Sequence, residues 1–132
     1  MVRSYLTEAE IYERKLRTRY SYQDNRLIGD VYPTVRTIEI KYSVEYRSFA
    51  GVSRKDGVLQ YDATKPNIFE IDCPNKDCTI GYFDLKPEVK DMIQSRIVEK
   101  TDKNNCIGDE AYDHGGFSCD SSICYTIAVV YR

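Results

Sequence analysis

Five residues in this 132-residue chain have a type and spacing that could do chemistry: Cys73, Cys78, Cys106, Cys119 and Cys124. They read as C-x4-C, a long gap, then C-x12-C-x4-C. Short cysteine pairs joined by a longer insert are the layout of a structural zinc site, where thiolates from separate parts of a fold close around one tetrahedral ion. The first pair lies in Cys73-Pro74-Asn75-Lys76-Asp77-Cys78, where Pro and Asn favour a tight turn that points both sulfurs the same way. The odd count fits poorly with a disulfide scaffold.

Four ligands complete such a site, so one cysteine is spare. One assignment uses Cys73, Cys78, Cys106 and Cys119; the other uses the two C-x4-C pairs and leaves Cys106 free. The first is preferred, with His114 as a substitute ligand. Cys106 is followed by Ile107-Gly108, a turn that can open backbone N–H groups to a thiolate. Cys124 falls out of phase with Ile123, Tyr125 and Ile127 in a strand-like run, so it faces away from them. The competing reading is a set of metal-free thiols or disulfides, because free Cys is often buried as a small hydrophobe.

Other chemistry is sparse. Nucleophilic catalysis needs a base, and the one histidine, His114, sits in the loop-like Asp113-His114-Gly115-Gly116. No G-x-x-x-x-G-K or G-x-G-x-x-G phosphate loop is present, nor the H-x-E and P-C-x-x-C pair of zinc deaminases. An all-cysteine site is closed, whereas a catalytic zinc keeps an open position. The expectation is therefore a non-enzymatic protein. The alternative is an enzyme with an unrecognised site near His114 and the cysteines.

The elements that must position the cysteines follow from periodicity. Thr7-Glu8-Ala9-Glu10 has a capping-box form, and Ile11, Tyr12, Leu16 and Tyr20 give a helical stripe. From Val35 to Phe49, Ile38, Ile40, Tyr42, Val44 and Tyr46 alternate with polar residues, which predicts a long strand of an antiparallel sheet. Asp56-Gly57 reads as a hairpin turn. Ile68 to Cys73 reads as a strand with Phe69, Ile71 and Cys73 on one face, which delivers Cys73 to the site. Pro87-Glu88 opens a helix with Val89, Met92, Ile93 and Ile97 on one face, expected to end near Lys100. Asp102 to Gly116 reads as a polar loop holding Cys106, and Ile123 to Tyr131 as a closing strand. The fold class is α+β: a small antiparallel sheet with one or two helices and a structural zinc site. Residues 1–132 are expected to form a single domain, with a helix and loop over 1–33 and the sheet, helix and Cys cluster over 34–132.

Composition bounds the partners. With 19 basic and 21 acidic side chains the net charge is −2, which opposes strong non-specific nucleic-acid binding. Residues 1–66 carry a net +3 and residues 67–132 a net −5. Arg14, Lys15, Arg17 and Arg19 are the one dense basic cluster, a route to weak nucleic-acid binding beside Tyr20 and Tyr22. A solvated helix face paired with Glu8, Glu10 and Glu13 explains the same residues more simply. Twelve tyrosines favour a protein partner, since Tyr is enriched at interfaces. No apolar run reaches the roughly 20 residues of a membrane span, and the N-terminal MVRSYLTEAE lacks a secretory apolar stretch, so the expected location is cytoplasmic and off the membrane.

The Cys73–Cys78 segment with the later Cys106 and Cys119 resembles a zinc-ribbon-like site. The stretch from Phe69 to Tyr131 is also similar to small uncharacterised bacterial or phage proteins with a C-P-N-x-D-C loop, a G-x-F-D-L step, a helix and two later cysteines. That resemblance implies a structural metal ion and supplies no activity. It departs from the strict ribbon, whose pairs are C-x2-C.

Overall fold

The computed structural model describes residues 23–48, 51–75, 78, 81–106 and 121–132. The helix expected from Thr7, the basic cluster Arg14, Lys15, Arg17 and Arg19, and both His114 and Cys119 lie outside the described residues. In chain order the elements are α1 (Ile28–Val31), β1 (Val35–Ser48), β2 (Gly51–Asp62), β3 (Glu70–Asp72), β4 (Tyr82–Asp84), α2 (Lys86–Gln94), β5 (Glu99–Asn105) and β6 (Ser122–Tyr131). The architecture is α+β, mostly antiparallel sheet with two helices.

Four strands form one sheet in the order β2-β1-β6-β5, and β3 and β4 form a separate two-stranded ribbon. Every pairing is antiparallel. The alternation in β1 does what the period-2 pattern requires. Ile38, Ile40 and Val44 are buried, and they stand opposite Val129, Ile127 and Ile123 of β6. Thr37, Lys41, Glu45 and Arg47 face the exposed side. The buried face of this sheet joins Phe69, Ile71, Phe83, Leu85, Val89 and Met92 in one hydrophobic cluster, so the ribbon and α2 cover one side of the sheet. An edge-on ring contact between Tyr61 and Phe69, with centroids 4.8 Å apart, ties β2 to the segment entering β3. Among the described residues no helix is long and apolar enough to cross a membrane.

Three expectations are corrected. Asp56-Gly57 is not a turn: both residues lie inside β2, opposite Ser43 and Tyr42, and β1 meets β2 at Ser48↔Gly51. Gly57 is there for space. A Cβ at this position would lie 2.3 Å from Tyr42 Oη and 2.4 Å from Cζ, so the tyrosine ring lies across the glycine.

The second correction is the end of α2, which stops at Gln94 rather than near Lys100. The stop is a Schellman motif built without glycine. Arg96 takes the left-handed conformation, φ 53°, and its N–H donates to Ile93 O at 3.2 Å, while Ile97 N–H donates to Met92 O at 2.8 Å. Tyr131 on β6 holds this corner: its hydroxyl donates to Ile97 O at 2.7 Å and to Met92 O at 3.1 Å. The Arg96 guanidinium lies 4.7 Å from the centroid of the same ring, which offsets part of the backbone strain.

The third correction follows from the second. With the helix ended early, Glu99–Asn105 is free to form β5, pairing with β6 from Glu99↔Ala128 to Asn105↔Ser122. The segment expected to begin a loop at Asp102 is the second half of an edge strand. Its polar sequence hides the strand, because six of its seven positions carry charged or amide side chains and all but Lys100 and Asn104 are exposed.

Candidate metal centre

Cys73, Cys78 and Cys106 reach one point from three different places in the fold. Cys73 directly follows β3, where the inward phase of Phe69 and Ile71 continues to its side chain. Its N–H donates to Gly81 O at 2.9 Å, which extends the ribbon ladder beyond Asp72↔Tyr82. Cys78 lies on the loop between β3 and β4, and its N–H donates to Asn75 O at 3.1 Å, closing the turn that brings it back toward Cys73. Asn75 is buried. Cys106 directly follows β5, and its N–H donates to Ser121 O at 3.0 Å, just before β6.

The three sulfurs lie within 4.8 Å of one another, with Cys78 Sγ and Cys106 Sγ 3.6 Å apart. Cys106 is buried, and Cys73 and Cys78 are half-buried against the core. Gly81 makes the space. A Cβ added there would stand 2.1 Å from Cys78 Sγ, 2.5 Å from Cys106 Sγ and 3.2 Å from Cys73 Cβ. The glycine is required by room alone, since among the described glycines only Gly51 has a positive φ.

The electrostatics are those of thiols too close to ionise together. Hydrogen bonds from the Cys106 and Cys78 thiols pull the Cys73 thiol well below the usual range, with further bonds from the Ser121 side chain and the Asn75 backbone, while burial opposes the shift. The same contacts with Cys106 and Cys73, and burial, push the Cys78 thiol up. Without a cation the cluster therefore holds a shared charge rather than three thiolates. A bound metal ion removes that restriction by neutralising the sulfurs and releasing their protons. The donor set and the half-buried setting fit such an ion, and these three cysteines could hold one. Among the described residues they are the only group of three His, Cys, Asp or Glu ligands so gathered.

Cys124 is placed elsewhere. It is exposed on β6, opposite Ser43 of β1 and Lys103 of β5, on the polar face of the sheet. Cys119 and His114 lie outside the described residues. Sequence reasoning found the three clustered cysteines but missed Gly81, whose role shows only once the sulfurs are placed. A glycine three residues after a metal-type cysteine was the available signal. In comparisons with known proteins, no family model, no curated protein and no solved structure matches this chain.

Proposed function

We propose that this protein is a small non-enzymatic interaction module whose fold is stabilised by one zinc ion, held by Cys73, Cys78, Cys106 and Cys119. The observation that carries the reading is the convergence of three thiols above a glycine that leaves them room. Thiolate-only sets select zinc among the abundant divalent ions and form closed, structural sites. Cys119 suits the fourth position by reach: it stands two residues before Ser121, whose carbonyl is bonded to Cys106, and two residues span at most about 7 Å. One feature supports a zinc-ribbon-like reading. Its first two ligands lie on the loop of a two-stranded ribbon, β3–β4.

The ion would join that ribbon to the ends of β5 and β6. A protein partner is favoured over nucleic acid, on the acidic net charge and the tyrosine-rich composition. The test is zinc content of protein purified under reducing conditions. Cys106→Ser is expected to lower it well below one ion per chain, and Cys124→Ser to leave it unchanged. The reverse pattern would transfer the site to the two C-x4-C pairs.

A further inference from the structure

The sheet order β2-β1-β6-β5 leaves β5 at an edge, with β6 on one side only. Two backbone bonds fix which of its residues face outward. Val129 N–H donates to Val98 O at 2.9 Å just before the strand, and Cys106 N–H donates to Ser121 O at 3.0 Å just after it. The register between them runs without a shift from Glu99↔Ala128 to Asn105↔Ser122. Antiparallel pairs alternate between bonded and non-bonded. Lys100, Asp102 and Asn104 therefore bond to β6, and Glu99, Thr101, Lys103 and Asn105 turn their N–H and C=O groups to the open side. Lys103 shows that direction, because its N–H is met by the Asp102 side chain, at 2.8 Å from Oδ1, and not by β6. No strand among the described residues pairs with the open side.

An edge of seven residues is a template for another strand, and a second copy of β5 is the occupant that its own charges fit. A two-fold axis must set outward residues opposite outward residues, which leaves few registers. An axis at Lys100 or Lys103 sets two lysines face to face, and an axis at Asp102 sets two aspartates face to face. An axis at Thr101 sets Glu99 opposite the second copy's Lys103 and Lys100 opposite its Asp102, with no like charges opposed. Opposite charges across a strand pair stabilise it and like charges destabilise it, so this register is selected. The side-chain faces agree. Thr101 Oγ1 lies 2.9 Å from Thr126 Oγ1 of β6, so an axis at Thr101 continues a row of threonine hydroxyls from one copy into the other. Ile97 and Val98, exposed directly before β5, come to lie against the far end of the second copy's strand.

We propose that the chain self-associates through β5, in an antiparallel two-fold pairing centred on Thr101 that joins two four-stranded sheets into one continuous sheet. Glu99, Thr101 and Lys103 supply the backbone ladder. Lys103 N–H exchanges its bond to Asp102 for the Glu99 carbonyl of the second copy, and Asp102 turns to the second copy's Lys100. The charges that select this register also disfavour foreign strands, which explains a lysine-bearing edge that still pairs with itself. The contact is one strand wide and falls below the roughly 1,200 Å² of stable complexes, so the association is weak and reversible. The proposal rests on the protein-partner reading above, which it deepens by naming the partner, and it is independent of the cysteine centre.

The experiment is sedimentation equilibrium of the full chain at low salt, up to about 1 mM, with reductant present so that the exposed Cys124 cannot cross-link copies. A reversible monomer–dimer equilibrium is expected. Glu99→Lys and Lys103→Glu each set like charges opposite one another and should weaken the dimer about tenfold. An equimolar mixture of these two variants should recover wild-type association, since each supplies the charge that the other lacks. Thr101→Pro removes an outward N–H that β6 does not use, so it should abolish the dimer while circular dichroism shows the fold retained. A monomer at every concentration, a dimer that either charge variant leaves unchanged, or a mixture that associates no better than its components would overturn the proposal. If the proline variant does not fold, the charge variants and their mixture decide alone. A monomer with full zinc content removes the second copy as partner and leaves the zinc-stabilised module standing, so the two readings fail separately.

Discussion

Replacing Gly81 by alanine adds one carbon where three sulfurs meet. The new Cβ would lie 2.1 Å from Cys78 Sγ and 2.5 Å from Cys106 Sγ, against about 3.4 Å for an ordinary contact. The two sulfurs must retreat by about 1.3 Å and 0.9 Å, and Cys73 Cβ at 3.2 Å blocks escape of the methyl toward the ribbon. A zinc–sulfur bond of about 2.3 Å tolerates changes of only about 0.2 Å. Disturbing mere outer partners of a metal ligand costs 10–100-fold in affinity, so displacing two ligands is expected to cost at least about a hundredfold, near 2.7 kcal/mol. The metal-free form should lose about 1–3 kcal/mol from overpacking alone. Competition with a chromophoric chelator measures the first quantity, and denaturant unfolding of the metal-free protein the second. Gly57→Ala is the control: it crowds Tyr42 rather than the sulfurs, so it should lower stability and leave zinc affinity unchanged. A Gly81→Ala protein with wild-type zinc affinity would refute the placement of an ion among these cysteines.

Two further outcomes follow from the packing. Tyr131→Phe removes the hydroxyl bonded to Met92 O and Ile97 O while keeping the ring under Arg96, so the denaturant midpoint should fall by the equivalent of about 1–2 kcal/mol with zinc content unchanged. Burial pushes the Tyr61 and Tyr125 hydroxyls up to about 12 from the usual 10. Their folded values exceed the unfolded ones, so the stability they contribute is complete below pH 10 and is lost as pH rises toward 12; ultraviolet titration of the protein should show a late-ionising tyrosine fraction, and Tyr61→Phe should reduce it by one tyrosine.

Legibility in the sequence tracked how directly a pattern reports burial. Ile38, Ile40 and Val44 alternate with polar residues because one face of β1 is buried, and the strand could be read with its correct face. β5 is an edge strand of charged and amide residues, so no period marks it. Its start depends on Arg96, which ends α2 in a left-handed conformation that usually falls to glycine. What stabilises that residue is Tyr131, some thirty-five positions later, and no local signal carries this. Gly57 was misread for the converse reason: Asp-Gly is a good turn, but the cross-strand Tyr42 makes the glycine a matter of space. At the cysteines, strand phase correctly separated the exposed Cys124 from the core side of the sheet.

The central claim is that the clustered thiols hold zinc. X-ray absorption at the zinc edge, on protein purified under reducing conditions and quantified per chain, tests it most directly. The account predicts one zinc per chain with four sulfur neighbours at about 2.3 Å, and a zinc content well below one ion per chain in Cys106→Ser. A metal-free protein whose five thiols all titrate freely in the native state, or a zinc bound by nitrogen and oxygen alone, would contradict it.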